Sequence, residues 1–243
     1  NFHIAVLREA DLSPLFFQHT PQVGDPHSIL ASGDCLYVVS TATDEVLSFD
    51  ITDTALLNPR VVWKASDAGI DTHHVNSIVE KDGDLMVSAF GPKAGDLWST
   101  AANGYIHNIS LDRRIKEGIY HPHTLSVHDD QIYYCESHRG WFCSLEGPVF
   151  QLNGYSRGIS WCSDDLVCVG TSIGRKVSKS TGLLANPADP GEEIGQCAVT
   201  LRACATGDLL YQRDLSWFGP EIYDVLLLDR ATEPASTRLA TLE

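Results

Sequence analysis

His121-Pro122-His123-Thr124-Leu125-Ser126-Val127-His128-Asp129-Asp130-Gln131-Ile132-Tyr133-Tyr134-Cys135-Glu136 reads as a β-hairpin. Two runs rich in β-branched and aromatic residues flank Asp129-Asp130, residue types that tolerate the backbone angles of a tight turn. His121, His123 and Glu136 stand at the strand ends, with Ser137, His138 and Arg139 just beyond. Polar groups gathered at one end of a hairpin mark a candidate site.

The same template occurs four times, each with a polar residue opening an apolar strand and a second strand starting nine residues later. The other copies are His27-Ser28-Ile29-Leu30 with Leu36-Tyr37-Val38-Val39, Asn76-Ser77-Ile78-Val79 with Leu85-Met86-Val87-Ser88, and Arg157-Gly158-Ile159-Ser160 with Leu166-Val167-Cys168-Val169. Two further strand candidates follow each hairpin, for example Trp141-Phe142-Cys143 and Val149-Phe150, so every unit predicts a four-stranded meander. Such a repeat cannot bury both faces alone and must stack on its neighbours, which is the signature of a β-propeller. A large β-sandwich is the competing architecture, but it does not require a constant offset.

Glu221–Leu228 predicts a fifth inner strand, and Phe2–Leu7 with Leu15–Phe17 are strands without an inner partner before them. Joining them gives an all-β, single five-bladed propeller over residues 1–243, closed between the N- and C-terminal strands, with six blades as the competing count. Residues 174–195, rich in Gly, Pro, Ser and charge, predict a long loop that could act as a lid over the site.

Inner strands of a propeller surround its axis, so the opening residues His27, Asn76, His123, Arg157 and, by alignment of the apolar run, Asp224 should converge on one mouth. Two positions earlier stand Asp25, His74, His121, Tyr155 and Ile222, while Ser40, Ala89, Glu136 and Gly170 end the second strands. His19, His107 and His128 read as surface or turn histidines, and a wet polar channel without chemistry is the bland alternative for the rest. His27, His74, His121 and His123 are the predicted ligands of a divalent metal, Zn or Fe, with Glu136 as fourth ligand or general base. Arg157, Arg139 and Arg175 could clamp a carboxylate or phosphate by bidentate hydrogen bonds, and Asn76, Tyr155 and Tyr223 complete the predicted substrate contacts. Arg157 could instead form a structural ion pair with Glu136 or Asp224. A glycosidase carboxylate pair drawn from Asp25, Glu136, Glu221 and Asp224 is outweighed by the histidines.

The formal net charge of −15 argues against nucleic acid, because no Lys/Arg excess is available to displace counterions. No apolar run approaches the ~18 residues of a membrane span, and Asn1-Phe2-His3 begins without Met and without the basic stretch of a leader. Seven cysteines, an odd number with no C-x-x-C spacing and several within apolar runs, predict free thiols in a reducing, cytoplasmic setting.

His74-Val75-Asn76-Ser77-Ile78, Pro122-His123-Thr124 leading to Tyr134-Cys135-Glu136-Ser137, Gly154-Tyr155-Ser156-Arg157-Gly158-Ile159 and Glu221-Ile222-Tyr223-Asp224-Val225, taken in that order, carry a resemblance. They resemble an uncharacterised bacterial β-propeller family, a domain of unknown function distantly similar to strictosidine-synthase-like and gluconolactonase-like propellers. The resemblance covers residues from about 70 to 230 and implies that Asn76, His123, Glu136, Arg157, Glu221 and Asp224 are hallmark positions. Glu136, Arg157, Asp224 and Glu221 are accordingly the expected catalytic set. It supplies no reaction. The expectation is a metal-dependent enzyme of hydrolase, lyase or isomerase type acting on a small, anionic molecule. A non-catalytic module binding glycan or protein and an iron-dependent redox enzyme are the alternatives.

Overall fold

The protein is described by a computed structural model that covers residues 2–174 and 195–228. It is all-β. A two-stranded ribbon, β1 (His3–Leu7) with β2 (Pro14–His19), precedes four antiparallel four-stranded sheets. Sheet one holds β3 (Pro26–Ser32), β4 (Cys35–Ser40), β5 (Glu45–Ile51) and β6 (Leu56–Lys64). Sheet two holds β7 (Val75–Lys81), β8 (Asp84–Ala89), β9 (Gly104–Asn108) and β10 (Arg113–Ile119). Sheet three holds β11 (Pro122–His128), β12 (Gln131–Glu136), β13 (Trp141–Ser144) and β14 (Gly147–Gln151). Sheet four holds β15 (Tyr155–Ser163), β16 (Leu166–Ser172), β17 (Ala198–Ala203) and β18 (Leu209–Asp214). Among the described residues the only helical elements are three short 3-10 turns, and no helix is long and apolar enough to cross a membrane.

Each sheet is a meander in chain order, and its first two strands are joined by a two-residue turn that returns the strand at once. Asp82-Gly83 and Asp129-Asp130 both take positive φ at their two central residues, the twist that joins neighbouring antiparallel strands without splaying them. The sheets then stack through alternating apolar faces. Val39 and Val46 of sheet one meet Val75, Ile78 and Val87 of sheet two. Met86 and Ile106 of sheet two meet Leu125, Ile132 and Tyr134 of sheet three. Phe142 and Phe150 of sheet three meet Ile159, Val167 and Val169 of sheet four. Ile4 and Phe16 of the ribbon pack beside Val38, Leu47 and Phe49 of sheet one. Gln18 adds a polar tie there, donating from Nε2 to Leu56 O at 2.6 Å and accepting from Leu56 N at 2.7 Å. A fully buried Phe142 or Val167 contributes about 1.5–3 kcal/mol relative to exposure.

A second, polar device links successive sheets. Where β4, β12 and β16 end, Thr41, Ser137 and Ser172 donate a hydroxyl to the backbone of the segment that follows each sheet, just ahead of the next inner strand's opening residue for Thr41 and Ser137 and in residues 220–228 for Ser172. The bonds are Thr41 Oγ1 to Val75 O at 2.6 Å, Ser137 Oγ to Ser156 O at 2.6 Å and Ser172 Oγ to Ile222 O at 3.1 Å. Sheet two has Phe90 at that place, and Ser88 on β8 supplies the equivalent bond to Pro122 O at 3.2 Å.

This series corrects two expectations. The second strand of sheet four ends one residue later than the repeat suggests, because Ser156 pairs with Thr171 whereas Pro122 pairs with Glu136 and Val75 with Ala89. The added residue is Cys162, left unpaired in a bulge between Trp161 and Ser163. The expected fifth inner strand over 221–228 is also absent, since these described residues have no strand geometry. They run along sheet four instead, with Ile222 N on Ser172 Oγ at 2.9 Å and Leu227 N on Ser160 Oγ at 3.0 Å. Ile222 thus takes the place of Val75, Pro122 and Ser156, which puts Tyr223 rather than Asp224 at the opening position. The expected loop over 174–195 falls, but for its first and last residues, outside the described residues.

Candidate functional site

Irregular backbone aims the opening residues. The ladder skips at His27, at Asn76, between His123 and Ser126, and at Gly158, so each inner strand carries a bulge near its start. A bulge turns a side chain out of the regular alternation, and bulges are concentrated beside active sites. Just ahead of them, Asp25, His74 and His121 take left-handed backbone, with φ of 49°, 52° and 55°. Side chains from separate sheets come together as a result. The His27 ring lies 4.9 Å from His74 and 5.6 Å from Tyr223, His123 lies 5.3 Å from Tyr155, and the Arg157 guanidinium sits over Tyr155 at 5.0 Å and Tyr223 at 5.4 Å.

Two residues that sequence reasoning missed form a wall of this cluster. Phe90 stacks flat on His121 at 4.2 Å and also meets His74 at 4.5 Å and His123 at 4.9 Å. Trp98 lies 4.7 Å from His74, with the Lys93 ammonium over the Trp98 ring at 4.4 Å. Phe90 could have been found from its alignment with Thr41 and Ser137, whereas Trp98 comes from an irregular loop that the repeat does not index. The loop carrying His74 is anchored by buried Asp44, whose Oδ2 accepts from Thr72 N at 2.6 Å, Thr72 Oγ1 at 2.7 Å and His73 N at 2.8 Å.

Hydrogen bonding fixes which nitrogen carries the proton. Ser137 Oγ gives its single hydrogen to Ser156 O, so at 2.8 Å from His123 Nδ1 it can only accept. His123 is therefore protonated at Nδ1, with His121 O a longer second acceptor at 3.3 Å, and its Nε2 is a bare lone pair. His121 is the opposite case. Its Nε2 donates to Trp98 O at 2.8 Å and its Nδ1 accepts from Tyr155 OH at 3.0 Å, so both nitrogens are engaged. His27 Nδ1 donates to Asp25 O at 3.0 Å and His74 Nδ1 to Asp71 Oδ2 at 3.0 Å.

The imidazoles of His27, His121 and His123 are kept neutral. Burial, helped by His74, lowers the pKa of His27 to about 4. Burial lowers His121 to about 3, offset in part by its bond to Trp98 O. For wholly buried His123 burial again dominates and the Arg157 charge comes second, which holds it well below the usual histidine range.

Three buried polar atoms at opening positions have no hydrogen-bond partner: Asn76 Nδ2, His123 Nε2 and Arg157 Nε. Two are donors and one is an acceptor. Buried polar groups are nearly always paired, so unpaired ones on adjoining strands call for an explanation.

The expected four-histidine metal centre is not assembled. No three ligand atoms drawn from His27, His74, His121, His123 and Glu136 lie within 4.8 Å of one another, and the one such group among the described residues is His128, Asp129 and Asp164. His121 has no nitrogen to spare. Glu136 turns away from the cluster, its Oε1 accepting from Arg139 Nη1 at 2.8 Å and Tyr120 N at 3.1 Å. The reason is strand alternation, which puts Cys135, not Glu136, opposite His123. Arg139 is thereby Glu136's partner, more than half exposed and beside Tyr120, and not Arg157, the partner that the alternative reading of Arg157 gave to Glu136. Asp224 is exposed and accepts from Val225 N at 2.8 Å, while Glu221 is half-buried on the same segment. Arg175 lies outside the described residues.

Among curated proteins none matches the sequence. Solved structures do match. The luciferin-regenerating enzyme aligns with a TM-score of 0.66 at 13% identity, over 94% of this chain and 73% of its own. A protein of unknown function from Bacteroides caccae aligns with a TM-score of 0.52 at 9% identity, over 88% of this chain and 69% of its own. Identities this low speak for the fold alone. At the sequence level residues 16–236 match a single family throughout, and the chain belongs to that family, the domain of unknown function DUF4915.

Proposed function

We propose that the chain is a single five-bladed propeller whose ring is completed by residues 220–228 and the N-terminal ribbon, and that its mouth takes a small anionic molecule on which it acts as an enzyme. A distant kinship with strictosidine-synthase-like and gluconolactonase-like propellers fits this reading. The observation that carries it is the set of unpartnered atoms on Asn76, His123 and Arg157. Arg157 Nε–H and the Asn76 amide suit the oxygens of a carboxylate or polarised carbonyl. The His123 lone pair suits a proton leaving a hydroxyl or an acidic carbon beside it, which is chemistry shared by hydrolases, lyases and isomerases.

The arrangement links binding to basicity. Arg157 is the second cause of the low His123 pKa, so an anion that neutralises the guanidinium raises the proton affinity of the imidazole. His123 becomes the better base only when substrate is in place. Histidine ¹⁵N NMR of the full chain, titrated with glycolate and with acetate, tests this. Free protein should show bare Nε2 on His123, and glycolate should move that resonance in wild type but not in Arg157→Met. No change at saturating glycolate and acetate defeats the anion reading. Binding that persists with no turnover across lactones, esters and hydroxy acids favours the non-catalytic module.

A metal-assisted second reading draws on one observation. The Nδ1–H groups of His27, His74 and His123 are each tied to oxygen, the outer-shell pattern typical of metal-bound imidazoles. As placed, these residues make no three-ligand centre. Elemental analysis of the purified chain beside a His27→Ala/His74→Ala double variant decides it, stoichiometric Zn or Fe lost in the variant being the supporting result.

A further inference from the structure

The bulge that displaces sheet four has a chemical content of its own. Cys162, the inserted residue, is exposed, and Cys168 on the adjacent strand is buried. Their sulfurs are 3.5 Å apart. Cys168 pairs with Ser160 across the ladder, two residues from Cys162, so the three side chains share one face of the β15–β16 hairpin. Without the extra residue, alternation would keep the two thiols in separate diagonal positions; the bulge brings them into contact. Neither cysteine belongs to the histidine cluster.

We propose that Cys162 and Cys168 form a dithiol site that exchanges with small disulfides. The exposed Cys162 loses its proton to solvent and its thiolate attacks the incoming disulfide, forming a mixed disulfide and releasing one thiolate that takes up a proton. Cys168 then attacks Cys162 Sγ, closing an intramolecular disulfide and expelling the second small thiol, with the Cys168 proton passing to it through solvent. Two protein thiols are oxidised and one small disulfide is reduced to two thiols. Burial, with the Cys162 neighbour second, pushes the Cys168 thiol up to about 12, which assigns first attack to Cys162 and resolution to Cys168. A disulfide bond of ~2.05 Å requires the sulfurs to close the remaining gap by rotation about their side chains.

The position has a structural neighbour. Ser160 on the same face accepts from Leu227 N, and Val225 lies against Gly158 and Gly170. The site borders the segment that runs along sheet four.

The test is exposure of the full chain to oxidised glutathione, followed by intact mass and peptide mapping. Wild type should lose two hydrogen atoms in mass, retain no glutathione and yield a peptide joining Cys162 to Cys168. Cys168→Ser should hold glutathione on Cys162, and Cys162→Ser, a change at an exposed site that leaves the packed core intact, should undergo neither change. Retention of glutathione on Cys162 in wild type to the same extent as in Cys168→Ser overturns the proposal. So does a bridge to any other cysteine, an unmodified Cys162, or a Cys162→Ser chain that still loses two hydrogens.

Discussion

Replacing Ser137 by alanine should cost the protein about 2–4 kcal/mol and release the tautomer of His123. Ser137 is 1% exposed, and its hydroxyl does two jobs. It accepts from His123 Nδ1 at 2.8 Å and donates to Ser156 O at 2.6 Å, joining sheet three to sheet four. Each lost bond is worth ~0.5–1.5 kcal/mol net, so the two give about 1–3 kcal/mol, and leaving a buried group with a poorer partner adds about 1 kcal/mol, the low end of the cost of an unpaired group. At roughly 2–4 °C per kcal/mol for a chain of this size, the melting temperature falls by about 5–15 °C. The remaining acceptor for His123 Nδ1–H is His121 O at 3.3 Å, too long to hold one tautomer alone. Urea denaturation and histidine ¹⁵N spectra of the same samples give both readouts. Ser137→Thr is the control, because threonine already does this work at Thr41. A loss under ~0.5 kcal/mol, the scatter of ordinary surface substitutions, would refute the energetic argument. An unchanged His123 tautomer in Ser137→Ala would refute the relay.

Acid should weaken the fold before the carboxylates titrate. His27 and His121 have folded pKa values of about 4 and 3, and His123 is lowered too, against ~6.5 in the unfolded chain. The unfolded state then binds more protons in that window, so stability is full above ~6.5 and drops as pH falls towards 4, by up to ~1.4 kcal/mol per pH unit per histidine. Urea midpoints across this range check it, and His121→Gln should flatten the profile. Asp44→Ala removes the acceptor of three hydrogen bonds and should cost at least ~3 kcal/mol, with hydrogen exchange accelerated around Thr72–His74. Gly158→Ala should dislodge the segment beside sheet four, because its Cβ would meet Val225 N at 2.5 Å and its φ is +74°. Limited proteolysis near residues 220–228 should be faster in that variant, and equal cleavage would count against a packed segment.

The hairpins were legible because alternation and turn chemistry are local. Leu125, Ile132 and Tyr134 declare their strands by side-chain type, and Asp129-Asp130 declares the turn between them. The insertion at Cys162 left no such mark, since a bulge changes backbone register without changing composition. It moved the end of the second strand from Gly170 to Thr171 and, with it, the place where residues 220–228 dock. The segment from Glu221 to Leu228 then read as a strand although its backbone bonds hydroxyls, Ile222 with Ser172 and Leu227 with Ser160, rather than a ladder. At the site, the repeat picked out His27, Asn76, His123 and Arg157 because each opens an inner strand. It could not reveal that His121 is consumed by Trp98 and Tyr155, nor that Glu136 faces Arg139, because those outcomes are set by irregular loops and by which face a side chain takes.

The left-handed backbone at His74 and His121 implies a trade between stability and purpose. Such a conformation costs a residue with a Cβ roughly 1–3 kcal/mol, whereas glycine adopts it freely. A glycine at either position would relieve that strain while deleting an imidazole packed on Phe90. An engineer selecting only for heat resistance could therefore be led to erase the site, and thermostable variants of this protein should be screened for retained ligand binding before they are trusted.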